Sequence, residues 1–123
     1  MSSQDEPMTV TDQTFQKDVI DHSNVVPVLA DFWEEGAAPC RLAAKHLKAL
    51  AAEHAGKIRV ARIDASTNPG VTQAFQISAL PTLIVFKAGH LVFNQAGALP
   101  EAGYRDLVEQ VIALDVEAMT AGR

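Results

Sequence analysis

The stretch "FWEEGAAPCRLAAKHL", residues 32–47, holds the only cysteine of the chain, Cys40. Pro39 stands just before it and an alanine- and leucine-rich run follows. That places the cysteine in the first turn of a predicted helix, where proline is tolerated. The stretch has the shape of a C-x-x-C redox turn opening a helix, but its first cysteine is missing. Turnover of a disulfide by one molecule needs two thiols. One thiolate attacks and forms a mixed disulfide, and a second thiol attacks that bond to release the reduced product. A single thiol leaves only one exchange step, a mixed disulfide with glutathione or a protein. The competing reading is that Cys40 is a small buried hydrophobe, a common state of free cysteine.

Two further residues break the pattern around them. Asp31 interrupts the apolar run "VLADFW", where a carboxylate must be partly desolvated beneath neighbouring strands. Such a break inside a strand points to function. The alternative is an inert carboxylate paired with a base, and Arg62 in "VARID" is the expected partner. Arginine does not deprotonate, so the pairing predicts an ionised Asp31. Pro81 in "ALPTL" opens an apolar run, a place proline tolerates. His22, His46, His54 and His90 lie at no i+3 or i+4 spacing from Cys40, so no metal is expected from them. No glycine-rich phosphate loop and no serine–histidine–acid order is present, and no cofactor is expected.

These residues must be positioned by alternating elements. "MTVTDQTFQKDVIDHS" predicts a short edge strand and then a helix capped by Thr11 or Asp12. "VVPVLADFW" predicts a buried strand. "APCRLAAKHLKALAAEHAG" predicts a helix with Ala43, Leu47, Leu50 and His54 on one face and Gly56 as its stop. "KIRVARID" alternates as a strand, and "NPGVTQAFQI" fits a short helix. "PTLIVFKAGHLVFNQAG" is two apolar runs joined at Ala88-Gly89, a hairpin signal. "LPEAGYRDLVEQVIALDVEAM" closes with one helix whose Tyr104, Leu107, Val108, Val111 and Leu114 share a face. The order β-α-β-α-β-α-β-β-α implies an α/β fold: a mixed central sheet, parallel in part with an antiparallel hairpin edge, flanked by helices on both faces.

Composition bounds the function. The chain has 123 residues, 48% hydrophobic and 20% charged, with net charge −5. That suits one domain with a real core. No basic stripe exists to release counterions from phosphates, which argues against nucleic acid. The apolar runs are shorter than the roughly 18–20 residues of a membrane span. "MSSQDEPM" has neither the basic nor the apolar region of a secretory signal. A lone cysteine fits a reducing cytosol, so a cytoplasmic protein is expected.

Over roughly residues 8–115 the chain resembles the thioredoxin family. The resemblance rests on "VLADFWEE", "APCR" opening a helix, "VARIDASTNPG", "FQISALPTLIVFKAGHLV" and "QAGALPEAGYRDLVEQV", in that order and spacing. It implies the thioredoxin fold over 8–115, a tail at 1–7 and a short extension at 116–123. It also implies a protein that reduces, oxidises or holds disulfide-bearing partners. The family usually has Trp-Cys-Gly-Pro-Cys where this chain has Gly36-Ala37-Ala38-Pro39-Cys40. Its attacking cysteine therefore falls on Ala37 and its resolving cysteine on Cys40. By the same resemblance Asp31 matches the family's buried acid, which exchanges a proton with the resolving cysteine. Arg62 stands where lysine is common, and Pro81 matches a cis-proline facing the turn. The family pairs the backbone beside that proline with an extended partner segment, a form of strand addition that needs no cysteine. Trp33, Gly36, Ala37, Ala38, Pro39, Leu80, Pro81 and Gly97 would then form the partner-binding surface. Normal reductase activity is expected to be absent or weak. Two functions follow as expectations: a binding module for thiol-bearing or unfolded clients, or a monothiol redox protein or sensor acting through Cys40. Chaperedoxins, bacterial thioredoxin-like co-chaperones, similarly lack the first cysteine but carry a helical-repeat extension not found in these 123 residues. The expected partners are proteins, with no nucleic acid and no membrane, and the chain is expected to be a monomer or weak dimer.

Overall fold

The computed structural model describes residues 5–120. Five strands form one mixed sheet: β1 (Met8–Thr9), β2 (Val28–Trp33), β3 (Arg59–Asp64), β4 (Thr82–Lys87) and β5 (His90–Ala96). Their spatial order is β1-β3-β2-β4-β5. The pairs β1–β3 and β2–β3 are parallel, and β2–β4 and β4–β5 are antiparallel. Strand β2, buried from Val28 to Phe32, is thus flanked on both edges.

Alternation along the strands sends side chains to two separate cores. On one face Leu29, Val60, Leu83 and Val85 pack with Ala43, Leu47 and Leu50 of α1 (Ala38–Glu53) and with Tyr104, Leu107 and Val108 of α3 (Glu101–Ala113). On the other, Val28, Ala30, Phe32, Ile63 and Phe86 pack with Phe15 and Val19, and Phe75 lies against them. The α2 helix, Pro69–Ala74, leads into Phe75. Asp31 alternates with Ala30 and Phe32, so it points to the face of α1 and α3.

Several elements differ from the sequence expectation. The first helix does not start at Thr11 or Asp12. Residues Gln16–Asp21 wind more widely than an α-helix, and a tighter turn at His22–Asn24 follows. Asp12 caps a different helix. Its carboxylate accepts the N–H groups of Gly70 (3.0 Å) and Val71 (2.9 Å), the free donors at the start of α2. Glycine permits this approach, since a Cβ at position 70 would lie 3.0 Å from that carboxyl group. The helix expected over 68–77 stops at Ala74, and the strand expected from Lys57 starts at Arg59. In α1 the buried face is Cys40, Ala43, Leu47, Leu50 and Ala51, while His54 is the half-buried C-cap.

The closing helix is broken. Leu114 turns to extended geometry at the end of α3, and a separate α4 spans Val116–Thr120. The break has a physical cause in Lys87. Its ammonium donates to the carbonyls of Val111 (2.7 Å), Ile112 (3.0 Å) and Leu114 (2.6 Å), satisfying groups that a continued helix would have used itself. Leu114 is accordingly half-buried and off the core face.

Candidate functional site

The site forms where β2 ends. Trp33 is the last residue of β2, and Glu34–Ala37 turn the chain into α1. Gly36 has φ +88° with nothing within 4 Å of where a Cβ would stand, so backbone conformation rather than crowding favours glycine there. Ala37 is the extended N-cap with no side-chain cap, and Ala38 and Pro39 occupy the first helical positions. Proline suits that place because the first amide has no helical acceptor. The Cys40 N–H donates to the Ala37 carbonyl at 3.0 Å. Ala38 and Pro39 are exposed, Ala37 is half-buried, and Cys40 is a free cysteine only 2% exposed.

Asp31 lies beneath this turn, 1% exposed. In the parallel register it sits opposite Arg62 of β3, whose Nε–H reaches Asp31 Oδ2 at 3.3 Å. Arg62 is the partner of Asp31, and two influences on the carboxyl oppose each other. Burial is the larger influence and lifts the carboxyl from 3.8 to about 6, while the Arg62 charge and hydrogen bond pull the other way. One long bond to a guanidinium that is 26% exposed does not offset the lost hydration. Asp31 is therefore still largely ionised at pH 7, with its pKa pushed up to about 6. The guanidinium also lies over the Trp33 ring, 4.4 Å from its centroid, in a cation–π contact.

Across β2, the other flank of the turn is built by the start of β4. The Leu80–Pro81 peptide is cis, with Pro81 buried and Leu80 half-buried. The Pro81 carbonyl accepts the Gly97 N–H at 2.7 Å, and Gly97 has φ +87°. Trp33, Gly36, Ala37, Pro39 and Cys40 thus lie on or beside the turn. Leu80, Pro81 and Gly97 lie on the β4 side, and Arg62 on the β3 side. A groove of about 470 Å³ on the β3 side runs past Trp33, Glu35, Gly36, Cys40, Arg41 and Arg62.

One buried polar residue was not singled out as a site residue from sequence. Tyr104, 2% exposed, stacks near His46 with ring centroids 5.9 Å apart, and its hydroxyl accepts the Leu99 N–H at 3.1 Å. Burial raises its pKa, the Leu99 bond opposes this, and Asp31 and Cys40 nearby add to the rise. The signal was a tyrosine among leucine and valine on a buried helix face, since a buried phenol needs a polar partner. Among the described residues no group of three or more potential metal ligands occurs, and no helix is long and apolar enough to cross a membrane.

Comparison with known proteins gives a consistent result. The thioredoxin family model matches residues 6–110. Thioredoxin 1 of Nostoc sp. is 38% identical over 101 residues, 82% of this chain and 92% of that protein. Thioredoxin of Acidithiobacillus ferridurans is 41% identical over 93 residues, 76% of this chain and 84% of that protein. Among solved structures, a mutant thioredoxin from Halobacterium salinarum superposes with a TM-score of 0.80 at 31% identity, covering 94% of this chain and 98% of that one. The sheet order, the helix-opening turn and these likenesses lead to one assignment: the chain belongs to the thioredoxin family.

Proposed function

We propose that this protein holds extended, thiol-bearing or unfolded protein segments beside Pro81 and does not run dithiol turnover. One observation carries the reading: the only cysteine, Cys40, is 2% exposed at the opening of α1, and the position three residues earlier is Ala37. Alanine has no sulfur with which to open a substrate disulfide, so the cycle of attack and release lacks its first step. What strand addition needs is unpaired backbone, and Leu80 beside the cis bond offers it without any thiol, whereas the Pro81 carbonyl is already taken by the Gly97 N–H. The partners are proteins, and the compartment proposed is the cytoplasm, where a lone thiol stays reduced.

A second reading is favoured by one feature. Cys40 reaches the wall of the groove next to Trp33 and Arg62, which suits a monothiol exchanger or sensor forming mixed disulfides. Capture of an unfolded protein with and without reductant separates the two. Capture that persists in dithiothreitol supports client holding, and capture that vanishes supports thiol exchange. Insulin reduction driven by dithiothreitol is expected to stay at background. Turnover well above it would contradict both.

A further inference from the structure

We propose that the groove between Arg62, Trp33 and β1 binds a small carboxylate carried on an apolar body. This goes beyond client holding and does not depend on it. In the sheet, β2 separates β3 from β4, so the groove lies on the flank of the turn away from Pro81. Its volume is about 530 Å³, and its walls include Met8, Trp33, Ala44, Lys48, Arg62 and Asp64.

Arg62 supplies the recognition. Only its Nε is engaged, by Asp31 at 3.3 Å. The two terminal nitrogens make no hydrogen bond with any described residue. Stacking on Trp33 at 4.4 Å orients the guanidinium plane before a ligand arrives. An oriented guanidinium whose end edge, carrying both terminal nitrogens, is free is the complement of a carboxylate, which it can grip through two parallel charge-assisted bonds. Lys48 adds positive charge in the same groove.

The rest of the lining narrows the ligand class. Glu6 and Asp64 also border the groove and oppose a highly charged anion. Asp64 directs Oδ1 into its own turn, where it accepts from Ser66 N (3.0 Å) and Ser66 Oγ (2.6 Å). With Asp31 counted, Arg62 and Lys48 face three carboxylates, so the directed fork of Arg62 rather than net charge recommends a carboxylate, and polyanions are disfavoured. Met8, Ala44 and the Trp33 ring offer apolar wall to the remainder of the molecule, the usual division of labour in a small-ligand site.

Trp33 is the only tryptophan of the chain, so its indole N–H resonance is a single, assignable reporter beside the site. The probe is phenylacetate, with phenylacetamide as its uncharged counterpart, at constant ionic strength. The acid is expected to shift the Trp33 resonance saturably, and the amide is not. Arg62→Met should weaken binding roughly tenfold or more, and Arg62→Lys, which keeps the charge but loses the fork, should also weaken it. Asp31→Asn should tighten it by removing the competing carboxylate. An acetylated tripeptide of leucine with a free C-terminus, against its amide, identifies the source of the carboxylate. Binding by the free acid form assigns the site to peptide ends as well, and its absence confines it to free small acids. The proposal is overturned if acid and amide shift the resonance alike, or if both Arg62 variants bind phenylacetate as the unaltered protein does. The amide spectrum of each variant shows whether it has folded. Arg62→Lys carries the test if Arg62→Met does not fold.

Discussion

Asp31 and Arg62 face each other in register across β2 and β3, yet a single bond of 3.3 Å joins them and the carboxyl still titrates near 6. The relationship has a sign for stability. A carboxyl whose pKa is higher in the fold than in the unfolded chain binds its proton more tightly when folded. Its contribution therefore favours the fold at low pH and is lost as pH rises from about 4 through 6. Removing the charge with Asp31→Asn, which keeps an acceptor for Arg62, should stabilise the protein at pH 7.5 by roughly 1–3 kcal/mol. The gain should shrink toward zero near pH 4. Urea titrations of both proteins across that range check it. Equal stability at pH 7.5 would contradict burial as the dominant influence.

Asp12 holds the start of α2 from 58 residues away in sequence. Asp12→Ala should cost about 1–2 kcal/mol, the range for losing a charged helix cap that is partly solvated. Hydrogen exchange at the Gly70 and Val71 amides should accelerate more than at the amides of β4. Uniform acceleration across the chain would mean that the contact serves only global stability.

Cys40 is only 2% exposed, so a neutral aromatic disulfide reagent should label it slowly in the native protein. The rate should rise steeply on unfolding in guanidinium chloride. Rapid native labelling at pH 7 would move the protein to the monothiol reading.

Ala37→Cys restores a sulfur three residues before Cys40 at the opening of α1, with Pro39, Asp31 and Pro81 already in place. Insulin reduction should become measurable above the dithiothreitol background. Gly36 leaves no large side chain beside that sulfur, so recovery should be partial. Activity indistinguishable from the parent would show that more than the missing sulfur disables the turn.

Much of the fold was legible because its signals are local. The apolar runs of β2 and β4, the hairpin at Ala88-Gly89 and the amphipathic face of α1 each declare themselves within a short window. The misreadings came from long-range contacts. Asp12 has the residue type of a local N-cap, but its partners Gly70 and Val71 become neighbours only once β1 pairs with β3. The helix expected to run to Met119 breaks because Lys87, on another element, takes its last carbonyls. At the candidate site, Asp31, Arg62 and Cys40 stood out by residue type, and Pro81 entered through the resemblance to the thioredoxin family. The balance between burial and Arg62, and the company Tyr104 keeps with Asp31 and Cys40, depend on packing that no spacing encodes.

Client holding without sulfur chemistry is checked by calorimetry with an extended segment of a reduced, alkylated protein. Alkylation removes every thiol from the client, and Cys40→Ser removes the one in this protein. The segment is expected to bind both the parent and Cys40→Ser with equal affinity, in the presence or absence of dithiothreitol. N-methylation of its backbone should abolish binding, since strand addition depends on main-chain hydrogen bonds. No measurable binding of the unmethylated segment, or binding that survives methylation, would rule out client holding by strand addition.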